Sequence, residues 1–425
     1  MQFVESLSQR IEKVRRRVAE QGNYLGTVQL PGILSSMPTL AHNCLFSIGN
    51  CWSLGTGRHQ LTTGHCLFDR SIMTFIICRA LGEFMSRASD LVAVRLPRTY
   101  DVELLQRDLQ TLEEVRRAPQ PGPYHKGEWT GIALYSMGGR QSTFPSAAGT
   151  DLYQETEALR RASYFKHVLD DLKCPKEVVR ILFLPPEGYI KDHFDFHTSF
   201  QFGLLRLHIP IVTHPDVAFY IDGQRMNWNA GELWYGDFSK VHSVKNDSQV
   251  VRVHMVIDVQ INDFVLSLFP QDFIERRRAQ GISITTDPIP ASEAELRRFA
   301  CDFKIPGEFM PMFVIGEPLT TLAKGANAAV RLIDGKLTVL IDNQPAFRLD
   351  RLSDDVFGIS GLPPGMTLQL KRENLTVNDV VLHMKGLPKD LYSARLGIMR
   401  GPSISEQSVS LPVIQQMLNA AGSLS

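Results

Sequence analysis

Cysteine is scarce in this chain. Its six residues (Cys44, Cys51, Cys66, Cys78, Cys174 and Cys301) are scattered over 425 positions, a pattern that suits reduced thiols and not a disulfide framework. Net charge is missing as well: 45 basic and 45 acidic side chains cancel, which removes the usual electrostatic ground for nucleic acid or an anionic membrane as partner. No run approaches the roughly 20 apolar residues that span a bilayer. The first residues are charged and amphipathic where a secretory signal needs an apolar centre, so a cytoplasmic protein is expected. Internal repeats and long low-complexity tracts are also lacking. These absences leave a soluble chain with a small or neutral substrate.

The length exceeds what one core usually organises. Val4, Leu7, Ile11, Val14 and Val18 fall at helical spacing, with Arg15, Arg16 and Arg17 on a solvated face. Residues 22–90 mix Gly, Ser, Thr and His without sustained period. Cys44, Cys51 and Cys66 with His42, His59 and His65 lack the paired spacing of a zinc chelate and are read as chance neighbours. From Val92 the texture changes to a strand (VAVRLP), a helix over Asp101–Arg117, a strand at WTGIALYS, a helix over Asp151–Leu172, and short strands from Val178 to Val259 separated by turn residues. That series predicts a β barrel or sandwich. A helical stretch over Asp263–Arg278 leads to a second β-rich segment, where Asp334-Gly335 and Asp342-Asn343 are hairpin turns. The expected division is an N-terminal helix and weakly structured extension (1–90), a β-rich unit (91–262), a helical connector (263–312), a small β-rich domain (313–400) and a tail (401–425). The fold class is α+β, mainly β.

Chemistry concentrates in the first β-rich unit. In IKDHFDFH, residues two apart on an extended strand share a face, so His193 and Asp195 can meet one metal. His242, in GELWYGDFSKVHSVKND, supplies a second imidazole. Two histidines and a carboxylate leave open positions on an octahedral ion, the arrangement of non-haem Fe(II) oxygenases; a structural zinc site leaves none. If VHSVKNDSQVVRVHMVID is a hairpin turning at Asp247, Arg252 lies directly across from His242, with Cβ atoms roughly 5 Å apart. A forked, permanently charged guanidinium there suits a carboxylate of an organic acid that also reaches the metal. His197 shares the parity of His193 and Asp195, and Asp192 should face away. Alternation assigns no role to His254.

The segments IKDHFDFH, RLHIPIVTHPDVAFYIDG, AGELWYGDFSKVHSV and VVRVHMVIDVQIND resemble the aspartyl/asparaginyl β-hydroxylase-like oxygenases, a family that includes bacterial proline cis-hydroxylases. The resemblance spans residues 92–262 and is densest from Val178 to Asp263. It implies a double-stranded β-helix, or jelly roll, with flanking helices. It makes His193, Asp195 and His242 the Fe(II) ligands and catalytic triad, Arg252 the clamp on the C5 carboxylate of 2-oxoglutarate, and His208 a contact of the cosubstrate's C1 end. Trp129 and Arg140 lie in a segment like one that borders the site in relatives. Some animal members lack the carboxylate ligand; Asp195 is present here.

The implied activity is hydroxylation of an unactivated carbon in an amino acid, free, peptidyl or carrier-tethered, using Fe(II), 2-oxoglutarate and O2, with ascorbate as a supporting reductant. A rival is a non-catalytic, cupin-like metal-binding or scaffolding module. A further rival is metal-dependent isomerisation or hydrolysis. Neither has a use for Arg252 as a carboxylate clamp. The second β-rich segment carries no ligand cluster, only the isolated His383, and is expected to serve substrate admission or homo-oligomerisation.

Overall fold

The structure is a computed structural model that describes residues 91–120, 125–126, 128–143, 148–195, 197–313, 325–387 and 393–399. The expected N-terminal helix and extension and the C-terminal tail lie outside them. Among the described residues no helix is long and apolar enough to cross a membrane.

A jelly roll occupies the first part. Its strands, in chain order, are β1 (Ala93–Thr99), β2 (Ala118–Pro119), β3 (His125–Lys126), β4 (Thr130–Met137), β5 (Tyr153–Glu155), β6 (Lys176–Leu184), β7 (Tyr189–His193), β8 (Leu204–Val212), β9 (Val217–Ile221), β10 (Gln224–Met226), β11 (Glu232–Gly236), β12 (His242–Asn246) and β13 (Arg252–Gln260). One sheet runs β1-β11-β8-β13-β6-β4-β2 with β5 beside β4, and a second runs β10-β9-β12-β7-β3. All their pairings are antiparallel.

Period-2 alternation gives the larger sheet two unlike faces. Val253, Met255, Ile257 and Val259 of β13, with Leu205, Leu207, Ile209 and Ile211 of β8, pack outward with Leu105 of α1 (Val102–Thr111), Leu159 of α2 (Glu157–Arg161), Phe165 of α3 (Ser163–Asp171), Val265 of α4 (Asp263–Ser267) and Phe273 of α5 (Gln271–Gln280). The intervening residues, Arg252, His254, Val256 and Asp258 on β13 and Arg206 and His208 on β8, face the smaller sheet. A second apolar cluster of Leu182, Leu184, Ile190, Phe219, Ile221, Trp228, Phe238 and Val256 fills that interlayer. One face is thus apolar and closed by helices, while the other mixes aromatic rings with charge.

Two expectations are corrected. The helix anticipated over Asp151–Leu172 is a short strand, β5, and two helices: Thr156 is extended and caps α2 by accepting from Leu159 N, and Ala162 breaks the helical run. Second, β12 and β13 do not form a hairpin. They lie in different sheets, because the buried Asn246 side chain donates to Leu184 O at 2.9 Å and Val250 O at 2.8 Å while its Oδ1 accepts from Ser248, making a corner and not a tight turn. His242 pairs with His193 and Ile221, and Arg252 with Leu184.

The second β-rich segment is a closed eight-stranded barrel. Its first strand, Cys301–Ile305, falls within the stretch expected as a helical connector and closes on its last, Ser393–Ile398. Asp334-Gly335 and Asp342-Asn343 form hairpin turns with positive φ at both residues of each pair, as two-residue loops of this type require. The loop after β7 joins the two units. Phe200 packs with Tyr235, Phe269 and Phe273 in the jelly roll, whereas Phe202 belongs to the barrel's core. Gly365 N donates to Phe202 O at 2.7 Å, and a Cβ at Gly386 would stand 1.9 Å from the Phe202 ring, so only glycine admits it.

Candidate metal centre

His193 ends β7, and His242 opens the neighbouring strand β12 in register with it. Their rings stand 4.1 Å apart. His193 Nδ1 donates to Lys191 O at 2.8 Å and His242 Nδ1 to Lys240 O at 2.9 Å. A carbonyl only accepts, so both rings carry their proton on Nδ1 and present Nε2 lone pairs, the outer-shell arrangement that prepares histidine for a metal. Asp195 lies just past the strand, its amide donating to Phe238 O at 2.8 Å, and its Oδ2 stands 3.8 Å from His242 Nε2. One ligand atom from each of His193, Asp195 and His242 lies within 4.8 Å of the others. Burial foremost, and then the neighbouring His193, holds the His242 imidazole down at about 3, and burial lowers His193 as well. Both are neutral near pH 7. Burial pushes the Asp195 carboxyl up, but Arg206, His242 and His193 outweigh it and hold the group at about 2. Two neutral imidazoles and one carboxylate are the donor set that suits Fe(II).

Behind Asp195 runs a buried chain of alternating charge. Arg206 forks onto Asp258 through Nε–Oδ1 at 2.7 Å and Nη2–Oδ2 at 2.9 Å, and its Nη1 donates to Asp195 Oδ2. Arg180 Nη2 reaches the same Asp258 at 3.4 Å. Sequence reasoning missed Arg206, Arg180 and Asp258, although Arg206 shares the parity of His208 on β8 and Asp258 that of Arg252 on β13.

Arg252 is 3% exposed. Its Nη2 donates to His254 Nδ1 at 2.9 Å, its guanidinium lies 5.6 Å from the centre of the Phe219 ring, and its Nε has no hydrogen-bond partner among the described residues. Burial pushes it down to about 9, which still leaves it charged at neutral pH. His208 is sandwiched in the same interlayer, stacked on Phe238 at 4.8 Å and edge-on to Trp228 at 5.4 Å. His208 Nε2 and Trp228 Nε1 are buried and also lack partners among the described residues. The remaining sequence candidates divide: His197 is half-buried against Phe202, Asp192 is exposed, Trp129 is buried between the sheets, and Arg140 pairs with Asp151 at 2.8 Å on the surface.

Residues 100–261 match the family model for aspartyl/asparaginyl β-hydroxylase, so this stretch carries the pattern of an enzyme family. No curated protein matches the chain. Among solved structures, a prolyl-4-hydroxylase from Pseudomonas putida is 12% identical, with 44% of this chain and 99% of that chain covered and a TM-score of 0.28. An oxidoreductase of the 2OG-Fe(II) oxygenase family from Burkholderia pseudomallei is also 12% identical, covering 48% and 94%, with a TM-score of 0.29. A predicted oxalate decarboxylase from Thermotoga maritima is 13% identical, covering 34% and 91%, with a TM-score of 0.21. Each likeness is weak.

Proposed function

We propose that this chain is an Fe(II)- and 2-oxoglutarate-dependent hydroxylase, with His193, Asp195 and His242 holding the iron and Arg252 gripping the far carboxylate of the cosubstrate. One observation carries the cosubstrate: a guanidinium buried between the sheets has no carboxylate partner among the described residues. A buried charge is costly unless paired, and a planar fork suits a carboxylate. The neighbouring Arg206, by contrast, is fully engaged by Asp258 and Asp195. The family match over residues 100–261 supports the same reading.

Bound Fe(II), with 2-oxoglutarate and O2, supplies the oxidising power that converts a C–H bond to an alcohol while the cosubstrate becomes succinate and CO2. The protein's own part is positional. The Lys191 and Lys240 carbonyls set the ligand tautomers, Arg206 orients Asp195, Arg252 holds the C5 end, and His208 stands at the C1 end. The aromatic lining of Phe219, Trp228 and Phe238 keeps water from the charged groups. The substrate class is an amino acid, free, within a peptide or on a carrier, and the reaction takes place in the cytoplasm.

The test incubates the full chain with Fe(II), 2-oxoglutarate and ascorbate over a panel of amino acids and peptides. Succinate and a product heavier by one oxygen are expected, and His242→Ala should lose both. Metal binding without 2-oxoglutarate binding would favour the non-catalytic module instead.

A further inference from the structure

His254 lies two residues beyond Arg252 on β13 and faces the same way. Its Nδ1 stands 2.9 Å from Arg252 Nη2 and 3.2 Å from His208 Nδ1. A guanidinium only donates, so His254 Nδ1 carries a lone pair. His208 Nδ1, facing that lone pair, must carry the hydrogen. His208 Nε2 is then bare, and it is the buried atom without a partner among the described residues. Burial first, and then the Arg252 charge, holds both imidazoles well below their ordinary range, so neither ring is doubly protonated at neutral pH.

We infer that His254 is a positioning residue: its single lone pair orients the Arg252 fork and at the same time imposes the Nδ1–H tautomer on His208, so that His208 offers the pocket an accepting nitrogen. This rests on the reading of the pocket as a 2-oxoglutarate site. It also sharpens that reading. A neutral His208 of this tautomer cannot donate to a carboxylate oxygen; the group seated at its Nε2 is an O–H or N–H donor, a water or part of the substrate, and the cosubstrate's C1 end is reached through that donor.

The experiment uses the full chain loaded with Zn(II) as a diamagnetic stand-in. Nitrogen-15 NMR of labelled histidine reads each tautomer, and titration with 2-oxoglutarate gives affinity. His208 should be protonated at Nδ1 in the wild type. His254→Asn, whose Oδ1 falls near the position of Nδ1, should keep both the tautomer and the affinity. His254→Leu should release His208 to the Nε2–H form and weaken 2-oxoglutarate binding roughly tenfold, as for loss of one hydrogen bond to a charged group, with metal affinity unchanged. A wild-type His208 protonated at Nε2 overturns the inference, and so does a folded His254→Leu that retains tautomer and affinity. If the wild type binds no 2-oxoglutarate, the cosubstrate reading falls, while the His208 tautomer still decides the role of His254.

Discussion

Two arginines on the inner face of one sheet differ in what surrounds them, and that difference sorts their roles. Arg206 directs its donors to Asp258 and Asp195, whereas Arg252 keeps a buried Nε without a partner among the described residues. Replacing Arg252 with Lys retains charge but loses the fork, so 2-oxoglutarate affinity should fall by about 1.5–3 kcal/mol, roughly ten- to a hundredfold, with Fe(II) affinity little changed. Anaerobic titration of each ligand checks this; equal losses would mean that Arg252 supports the fold and not the cosubstrate. Asp258 is buried between Arg180 and Arg206. Asp258→Ala removes the carboxylate that the two buried guanidiniums share, so a loss on the order of 3–5 kcal/mol in unfolding free energy is expected by urea denaturation. That His193, Asp195 and His242, the proposed metal ligands, come together could be expected from the chain because two of them sit two residues apart beside a β-rich block. The charge chain behind them could not, since a lone strand arginine has many ordinary uses and only the sheet order brings Arg180, Arg206 and Asp258 together.

At the level of elements, the chain's local signals were clear where one residue decides a conformation. Asp-Gly and Asp-Asn pairs marked the barrel's hairpins because their backbones tolerate positive φ. The same kind of signal misled at Asn246-Asp247-Ser248. Turn residues mark a change of direction, but whether the following strand returns to its own sheet or crosses to the other depends on Asn246 reaching Leu184 O, a partner 62 positions away in sequence. The start of α3 also takes its support from a distance. Ala162 gives no side-chain cap; instead buried Asp108 of α1 accepts from Tyr164 N at 2.5 Å and Phe165 N at 3.0 Å. Asp108→Ala should therefore cost about 1–3 kcal/mol of stability, the penalty for leaving buried donors unmet, and should lower the thermal midpoint without altering metal affinity. A large loss of iron binding in a folded Asp108→Ala protein would contradict this separation of helix layer from site.

On the scale of the whole molecule, the barrel carries no candidate ligand cluster among the described residues, and its removal after about Asp287 is, on that ground alone, harmless to the proposed metal centre. The loop after Asp195 argues otherwise. Phe202, only 2% exposed, would lose the core that covers it, and uncovering a phenylalanine costs about 1.5–3 kcal/mol. A chain ending near residue 287 should thus bind Fe(II) more weakly than the full protein, with protease cleavage appearing between Asp195 and Leu204; unchanged iron affinity in a folded truncate would refute the coupling. During synthesis the consequence is one of timing. Every proposed ligand has been made once residue 242 leaves the ribosome, yet the loop that holds Asp195 gains its second anchor only when Gly365 and Gly386 arrive to receive Phe202. A redox-active ion is thereby expected to be captured late, by a finished chain and not by a nascent one.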